Sequence, residues 1–151
     1  MLSARHLHYA YPEAGQLHSV LKDVSLELSM GEQVALVGSS GSGKSTLLNL
    51  LGGNDKPVSG QIFLKGQEFS ALKEPALTLF RRQQIGFIYQ QFNLIPTLTV
   101  AENILLPLSL LSVSAAQQQE RLAYWLAAIQ LPTRAKAFPD QLSGGEQQRV
   151  A

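Results

Sequence analysis

No cysteine occurs anywhere in the 151 residues. That excludes a disulfide framework and any thiolate metal site, and it fits a cytoplasmic protein. Charge is also sparse. Charged residues make up 15% of the chain and the net charge is +1, so there is no basic stripe of the kind that grips nucleic acid, and no nucleic-acid partner is expected. Long hydrophobic runs are missing too. The most apolar stretch, residues 104–111, is far too short to cross a bilayer and contains Pro107. The N-terminus, Met1-Leu2-Ser3-Ala4-Arg5-His6, lacks the basic-then-apolar shape of a signal peptide. The expectation is a soluble chain whose connection to a membrane runs through a partner. There is no internal repeat and no low-complexity tract. What remains is a 45% apolar chain, long enough for one domain with a sizeable core.

The most informative stretch is Gly38-Ser39-Ser40-Gly41-Ser42-Gly43-Lys44-Ser45-Thr46. It fits G-x-x-x-x-G-K-[ST], the P-loop pattern. Gln33-Val34-Ala35-Leu36-Val37 precedes it and reads as a strand buried on both faces, as in a parallel sheet. Leu47-Leu48-Asn49-Leu50-Leu51 follows as an apolar helix, stopped by Gly52-Gly53. The order strand, glycine loop, helix serves an electrostatic need. Three glycines permit tight turns and leave successive backbone N–H groups facing one anion. The positive end of a helix starting near Lys44 aims at the same point. Lys44 supplies a full charge for the β- and γ-phosphates, Ser45 a hydroxyl for Mg²⁺, and Thr46 a further hydroxyl near the phosphates.

Along the chain, residues 2–11 read as a strand with Leu7, Tyr9 and Tyr11 on one face. Residues 12–15 read as a turn. Residues 20–28 alternate again, with Val24, Leu26 and Leu28 pointing one way. Met30-Gly31-Glu32 turns into the P-loop strand. Residues 54–60 are a loop by composition, 61–66 a strand ending in a glycine turn, and 74–84 a helix with Pro75 in its first turn. In that helix Leu77, Leu79 and Phe80 supply apolar contacts, and Arg81-Arg82 sit favourably at the C-terminal end of the dipole. Ile85-Gly86-Phe87-Ile88-Tyr89 reads as a second buried strand, and 90–96 as a loop. Residues 99–111 and 115–130 read as helices. In the second, Leu122, Trp125, Leu126 and Ile129 recur at helical spacing and read as core. Pro132 and Pro139 bracket a connecting segment. The expected organisation is residues 1–91 as β-subdomain and P-loop core, 92–142 as a small helical subdomain, and 143–151 as a further helix.

That last helix carries the second constellation, Leu142-Ser143-Gly144-Gly145-Glu146-Gln147-Gln148-Arg149. Ser143 followed by Glu146 is a capping box. Gly144 and Gly145 leave backbone N–H groups uncovered at a positive helix end, a second place for an anion. A plain helix cap is the reading this stretch would receive without the P-loop.

The two motifs together resemble the ATP-binding cassette (ABC) ATPases, and the resemblance covers residues 2–151. It implies an α/β P-loop NTPase fold of ABC type, with an N-terminal antiparallel β-subdomain and a small α-helical subdomain. It implies ATP and Mg²⁺ as cofactors. Tyr11 would stack on adenine, with Tyr9 on the same strand face as the alternative. Gln90 would be the hinge-loop glutamine that contacts Mg²⁺ and the attacking water and senses the transporter subunit. The plainer reading makes Gln90 and Gln91 loop polars. Leu142-Ser143-Gly144-Gly145-Glu146-Gln147 is similar to the family's signature. In this family Ser143, Gly144, Gly145 and Glu146 would reach the nucleotide held by a second cassette, so that two subunits face head to tail around two nucleotides. Binding and hydrolysis would open and close that pair and drive a membrane permease, which places the chain at the cytoplasmic face of the inner membrane. Ile85-Gly86-Phe87-Ile88-Tyr89-Gln90, Phe92-Asn93-Leu94-Ile95-Pro96-Thr97-Leu98-Thr99, Glu102-Asn103-Ile104 and Leu106-Pro107-Leu108 are similar to the lipoprotein-release and macrolide-efflux group, which works with permeases of few membrane helices.

The family pattern continues beyond the signature with an apolar strand ending in Asp-Glu and, later, a histidine for the γ-phosphate. No Asp-Glu dipeptide occurs in these residues, and His6, His8 and His18 all precede the P-loop. The C-terminal part of the core is expected to be missing. The 151 residues alone are then expected to turn over little ATP and to leave an uncovered apolar face. Three functions follow in order: the ATPase of an exporter, a non-hydrolysing module pairing with a complete cassette, and a soluble ABC protein of translation or DNA repair. The third ranks last because the chain carries no second cassette, coiled coil or zinc insertion.

Overall fold

The alternating N-terminal segments pair into a long hairpin: β1 (Leu2–Glu13) and β2 (Gln16–Leu28), antiparallel, with Leu2 opposite Leu28 and Tyr11 opposite His18. The structure is a computed structural model and describes residues 1–13, 15–111 and 113–151. It divides into two units, Met1–Ile85 and Gly86–Ala151.

In the first unit β3 (Ser59–Leu64) pairs antiparallel with the other side of β1, and the short β4 (Gln67–Glu68) completes the sheet order β2-β1-β3-β4. β1 is not regular. Register shifts fall between Ala4 and Leu7, Leu7 and Tyr9, and Tyr9 and Ala10, and His6 and Asp23 both have positive φ, 50° and 54°. Gly60 fits against this kink. Its φ is +99°, and a Cβ there would sit 2.5 Å from the His6 carbonyl oxygen, so only glycine lets the two backbones approach. Leu7 is fully buried, Tyr9 packs on the core as a partly buried side chain, and Tyr11 is 40% exposed. The three are not equally covered as strict alternation predicts: Leu7 and Tyr9 both meet the core cluster, whereas Tyr11, near the hairpin end opposite His18, does not. Pro12 and Glu13, expected in a turn at 12–15, belong to β1 and pair with Leu17 and Gln16. Ala14 lies outside the described residues.

Two helices close the core of this unit. α1 (Lys44–Leu51) buries Leu47 and Leu50, and α2 (Ala76–Gln84) buries Leu77 and Phe80. With Ala4, Leu7, Leu21, Ile62 and Phe69 they form one cluster, in which Phe69 and Phe80 stack at 5.1 Å. Each large apolar side chain removed from water here contributes roughly 1.5–3 kcal/mol. Leu79 is 48% exposed. It lies two residues from Leu77, on another face of the helix, and does not join the core. α2 starts at Ala76 rather than 74. Glu74 stays outside and accepts from the Thr78 N–H and hydroxyl, which hold its carboxyl below the usual range.

The two segments read as buried strands are different. Residues 33–37 and 85–89 pair with no strand among the described residues. Val34, Val37 and Ile88 are 62%, 85% and 84% exposed. A continuous apolar run forms a strand only where neighbours bond both edges and cover both faces. The sheet observed here supplies neither.

The second unit is helical: α3 (Val100–Ser109), α4 (Ala115–Ala128), a 3-10 turn at Pro139–Gln141 and α5 (Gly144–Val150). Its core is Val100, Leu122, Leu126 and Leu142. All three helices start with a complete capping box: Thr99 with Glu102, Ser114 with Gln117, Ser143 with Glu146. Asn103 ties down the loop before α3, donating to the carbonyls of Ile95, Leu98 and Thr99 and accepting from the Ile95 N–H. Trp125, read from its spacing as core, is 49% exposed and meets Tyr124 edge-on at 5.2 Å. The buried stripe of α4 is narrower than the apolar one.

Candidate nucleotide-phosphate site

The phosphate loop is built by how α1 begins. Its N-cap position is Gly43, at φ 85°, in the left-handed region. A Cβ at Gly43 would lie 3.0 Å from Val20 Cγ1 and 3.1 Å from Leu21 Cδ2. Glycine is therefore required twice, by the backbone angle and by the packing on β2. No side chain caps this helix, and its first turn holds no acidic residue. The first N–H groups of a helix have no intrahelical partner, so those of α1 remain open for an external anion. Ser42 N–H bonds the Ser39 carbonyl at 3.3 Å and closes the turn before it.

Lys44 is half-buried. Its Nζ donates to the carbonyls of Gly38 at 2.9 Å and Ser39 at 2.6 Å, and to Ser42 Oγ at 3.3 Å. These bonds hold the ammonium over the loop. Such charge-assisted bonds hold a long flexible side chain against the loop.

A cavity of about 650 Å³ opens above this loop. It is lined by Tyr11, His18, Ser19, Val20, Ser40, Gly41, Ser42, Gly43, Lys44, Ser45 and Thr46. The volume suits a nucleotide-sized ligand. Of the residues expected at the site, Tyr11 and Ser40 to Thr46 line one space. Gly38 and Ser39 lie at its base through their carbonyls on Lys44. Tyr9 is not among the lining residues; Tyr11 is. His18, Ser19 and Val20 were missed by the sequence reading. The signal that could have found them is hairpin register, since His18 faces Tyr11 across β1 and β2.

The remaining expected residues belong to the second unit. Gln90 is exposed, in the loop after residues 85–89. Ser143, Gly144 and Gly145 are exposed at the start of α5. Ser143 donates its N–H and hydroxyl to Glu146 Oε2, each at 2.8 Å, and accepts from the Glu146 N–H. These bonds, the backbone one foremost, hold the Glu146 carboxyl below the usual range.

The family profile described as ABC transporter matches residues 21–151. The chain belongs to the ABC transporter family. The lipoprotein-releasing system ATP-binding protein LolD of Idiomarina loihiensis is 44% identical over 151 residues, covering 100% of this chain and 66% of that protein. LolD of Pseudomonas syringae pv. tomato is 46% identical with the same coverage. An uncharacterized ABC transporter ATP-binding protein of Mycobacterium tuberculosis is 47% identical over 145 residues, covering 96% of this chain and 58% of that one. Among solved structures, the dimeric bacterial ABC transporter cassette MJ0796 matches at a TM-score of 0.89 and 40% identity, covering 99% of this chain and 66% of that one. A post-hydrolysis state of that cassette, bound to ADP and Pi, matches equally well. The fold is thus the α/β P-loop NTPase fold of ABC type. The chain spans about two thirds of the length of the LolD relatives. Among the described residues no helix is long and apolar enough to cross a membrane.

Proposed function

We propose that this chain is the ATP-binding part of an ABC transporter that couples ATP binding and hydrolysis to export or extraction of a substrate through a membrane permease. The observation that carries the reading is the uncapped start of α1, with Lys44 held over it, on the floor of a nucleotide-sized cavity. The LolD relatives are named for lipoprotein release, which makes a lipid-modified protein the cargo class of this reading.

In this reading the N–H groups at the start of α1 and the Lys44 ammonium bind the β- and γ-phosphates. Tyr11 takes the base. Ser45 offers a hard oxygen donor of the kind that suits Mg²⁺, and the ion when bound would neutralise charge on the phosphate oxygens; the Gln90 amide oxygen is a donor of the same kind. Ser143, Gly144, Gly145 and Glu146 reach the nucleotide of a second cassette, as the dimeric state of the matched structure supports. The chain would sit against the cytoplasmic face of the membrane, held there by its permease. Equilibrium dialysis with ATP tests the reading. Saturable binding that Lys44→Ala abolishes is expected; absence of saturable binding by the unmutated protein would overturn it.

A further inference from the structure

We propose that His18 is the second ring of the base platform. A purine base lies against Tyr11 and His18 together, so His18 sets a preference for purine over pyrimidine nucleotides. This rests on the reading of the cavity as a nucleotide site and specifies what its far wall recognises.

Three observations converge on it. Tyr11 and His18 are direct partners across the antiparallel hairpin, and directly opposed residues project from the same face of the sheet. Their rings stand 5.4 Å apart between centroids at an interplanar angle of 46°, an open V rather than a closed stack. Both line the same cavity as the phosphate loop. His18 is exposed, and among the described residues its side chain makes no hydrogen bond and its ring contact is Tyr11.

The platform is also keyed to the phosphate cradle. Val20 and Leu21, two and three residues beyond His18 on β2, close against the Cβ position of Gly43 at 3.0 and 3.1 Å. That contact fixes the span between the start of α1 and the rings. A ligand anchored by its phosphates is therefore delivered to the V with its base at a set height. A purine, with two fused rings, covers both side-chain rings. A pyrimidine covers one. Stacking of a base on an aromatic side chain is worth on the order of tenfold in affinity, so the second contact separates the two base classes.

The test is a set of titrations of the protein with ATP, CTP and inorganic tripolyphosphate, repeated for His18→Ala, His18→Phe and Lys44→Ala. For His18→Ala the expected result is a loss of roughly five- to tenfold for ATP, twofold or less for CTP and none for tripolyphosphate. His18→Phe restores ATP binding, which a role of the imidazole nitrogens would not allow. An unchanged ATP-to-CTP ratio in His18→Ala overturns the proposal while leaving the nucleotide site intact. So does a parallel fall for tripolyphosphate, which would mean that His18 acts through the loop. If the unmutated protein binds none of the three, or Lys44→Ala weakens none, the nucleotide reading itself fails and the proposal with it.

Discussion

The starts of α1 and α5 look alike in sequence and differ in chemistry. Both are rich in glycine and serine, and both sit in the motifs that place the chain in its family. At α1 the N-cap is a glycine in the left-handed region, no side chain accepts from the helix, no carboxylate lies in the first turn, and a lysine ammonium is held nearby. At α5 Ser143 and Glu146 close a complete box around the first turn. The same box starts α3 and α4, so by its bonding α5 begins as an ordinary helix does. Glycine alone does not make an anion site. What matters is whether side-chain acceptors already occupy the donors. An anion arriving at α5 meets the exposed Gly144 and Gly145 backbone with a carboxylate beside it. It would need further cations from elsewhere, whereas the start of α1 provides its own.

Replacing Lys44 by alanine sharpens the contrast most. Two short charge-assisted bonds and the ammonium disappear from the α1 site, and ATP affinity should fall by about a hundredfold, as expected for roughly 2–3 kcal/mol, while the melting temperature changes little. Calorimetric titration beside a thermal melt separates the two readouts. Gly43→Ala comes next. A left-handed non-glycine residue pressed on Val20 should destabilise the first unit by about 1–2 kcal/mol, visible in urea denaturation, and should weaken ATP binding along with it.

Ser143→Ala should cost about 1 kcal/mol, read as lost amide-exchange protection in the first turn of α5. Thr99→Ala should cost as much at α3. Neither should change ATP binding to the same chain. If Ser143→Ala weakened binding in dilute monomer as much as Lys44→Ala, the distinction between the two helix starts would collapse. The smallest effect is acid sensitivity. The folded pKa of Glu146 is depressed by Ser143, so its stabilising contribution is complete above the unfolded value near pH 4.3 and is lost as the pH falls through the lower folded value. Glu146→Gln should flatten that acid dependence of α5 protection.

Much of this was legible along the chain. The P-loop pattern, the Ser143–Glu146 capping box, the opening hairpin and the helices near 99–111 and 115–130 are written in spacings of two, three or four residues, and such spacings follow from the geometry of one strand or one helix; the boxes at Thr99 and Ser114 have the same spacing but went unread. Ser143 and Glu146 could be read as a box because both ends lie within one turn. The resemblance pointed to Tyr11 with Tyr9 as the alternative, and the cavity is lined by Tyr11; alternation alone does not separate two residues on one strand. Trp125 and Leu79 failed as core residues for a related reason: apolar spacing marks a face but not its width.

Sequence alone determined that a glycine loop of P-loop pattern precedes a helix here, because glycine acts at that loop through local backbone geometry. Tertiary structure decided what lines the cavity beside that loop. His18 reaches Tyr11 only through hairpin register, and Gly43 is locked to β2 only once Val20 and Leu21 arrive from more than twenty residues away. It also decided that residues 33–37 and 85–89 have no strand partners among the described residues, because a strand's hydrogen bonds belong to its neighbours and not to itself.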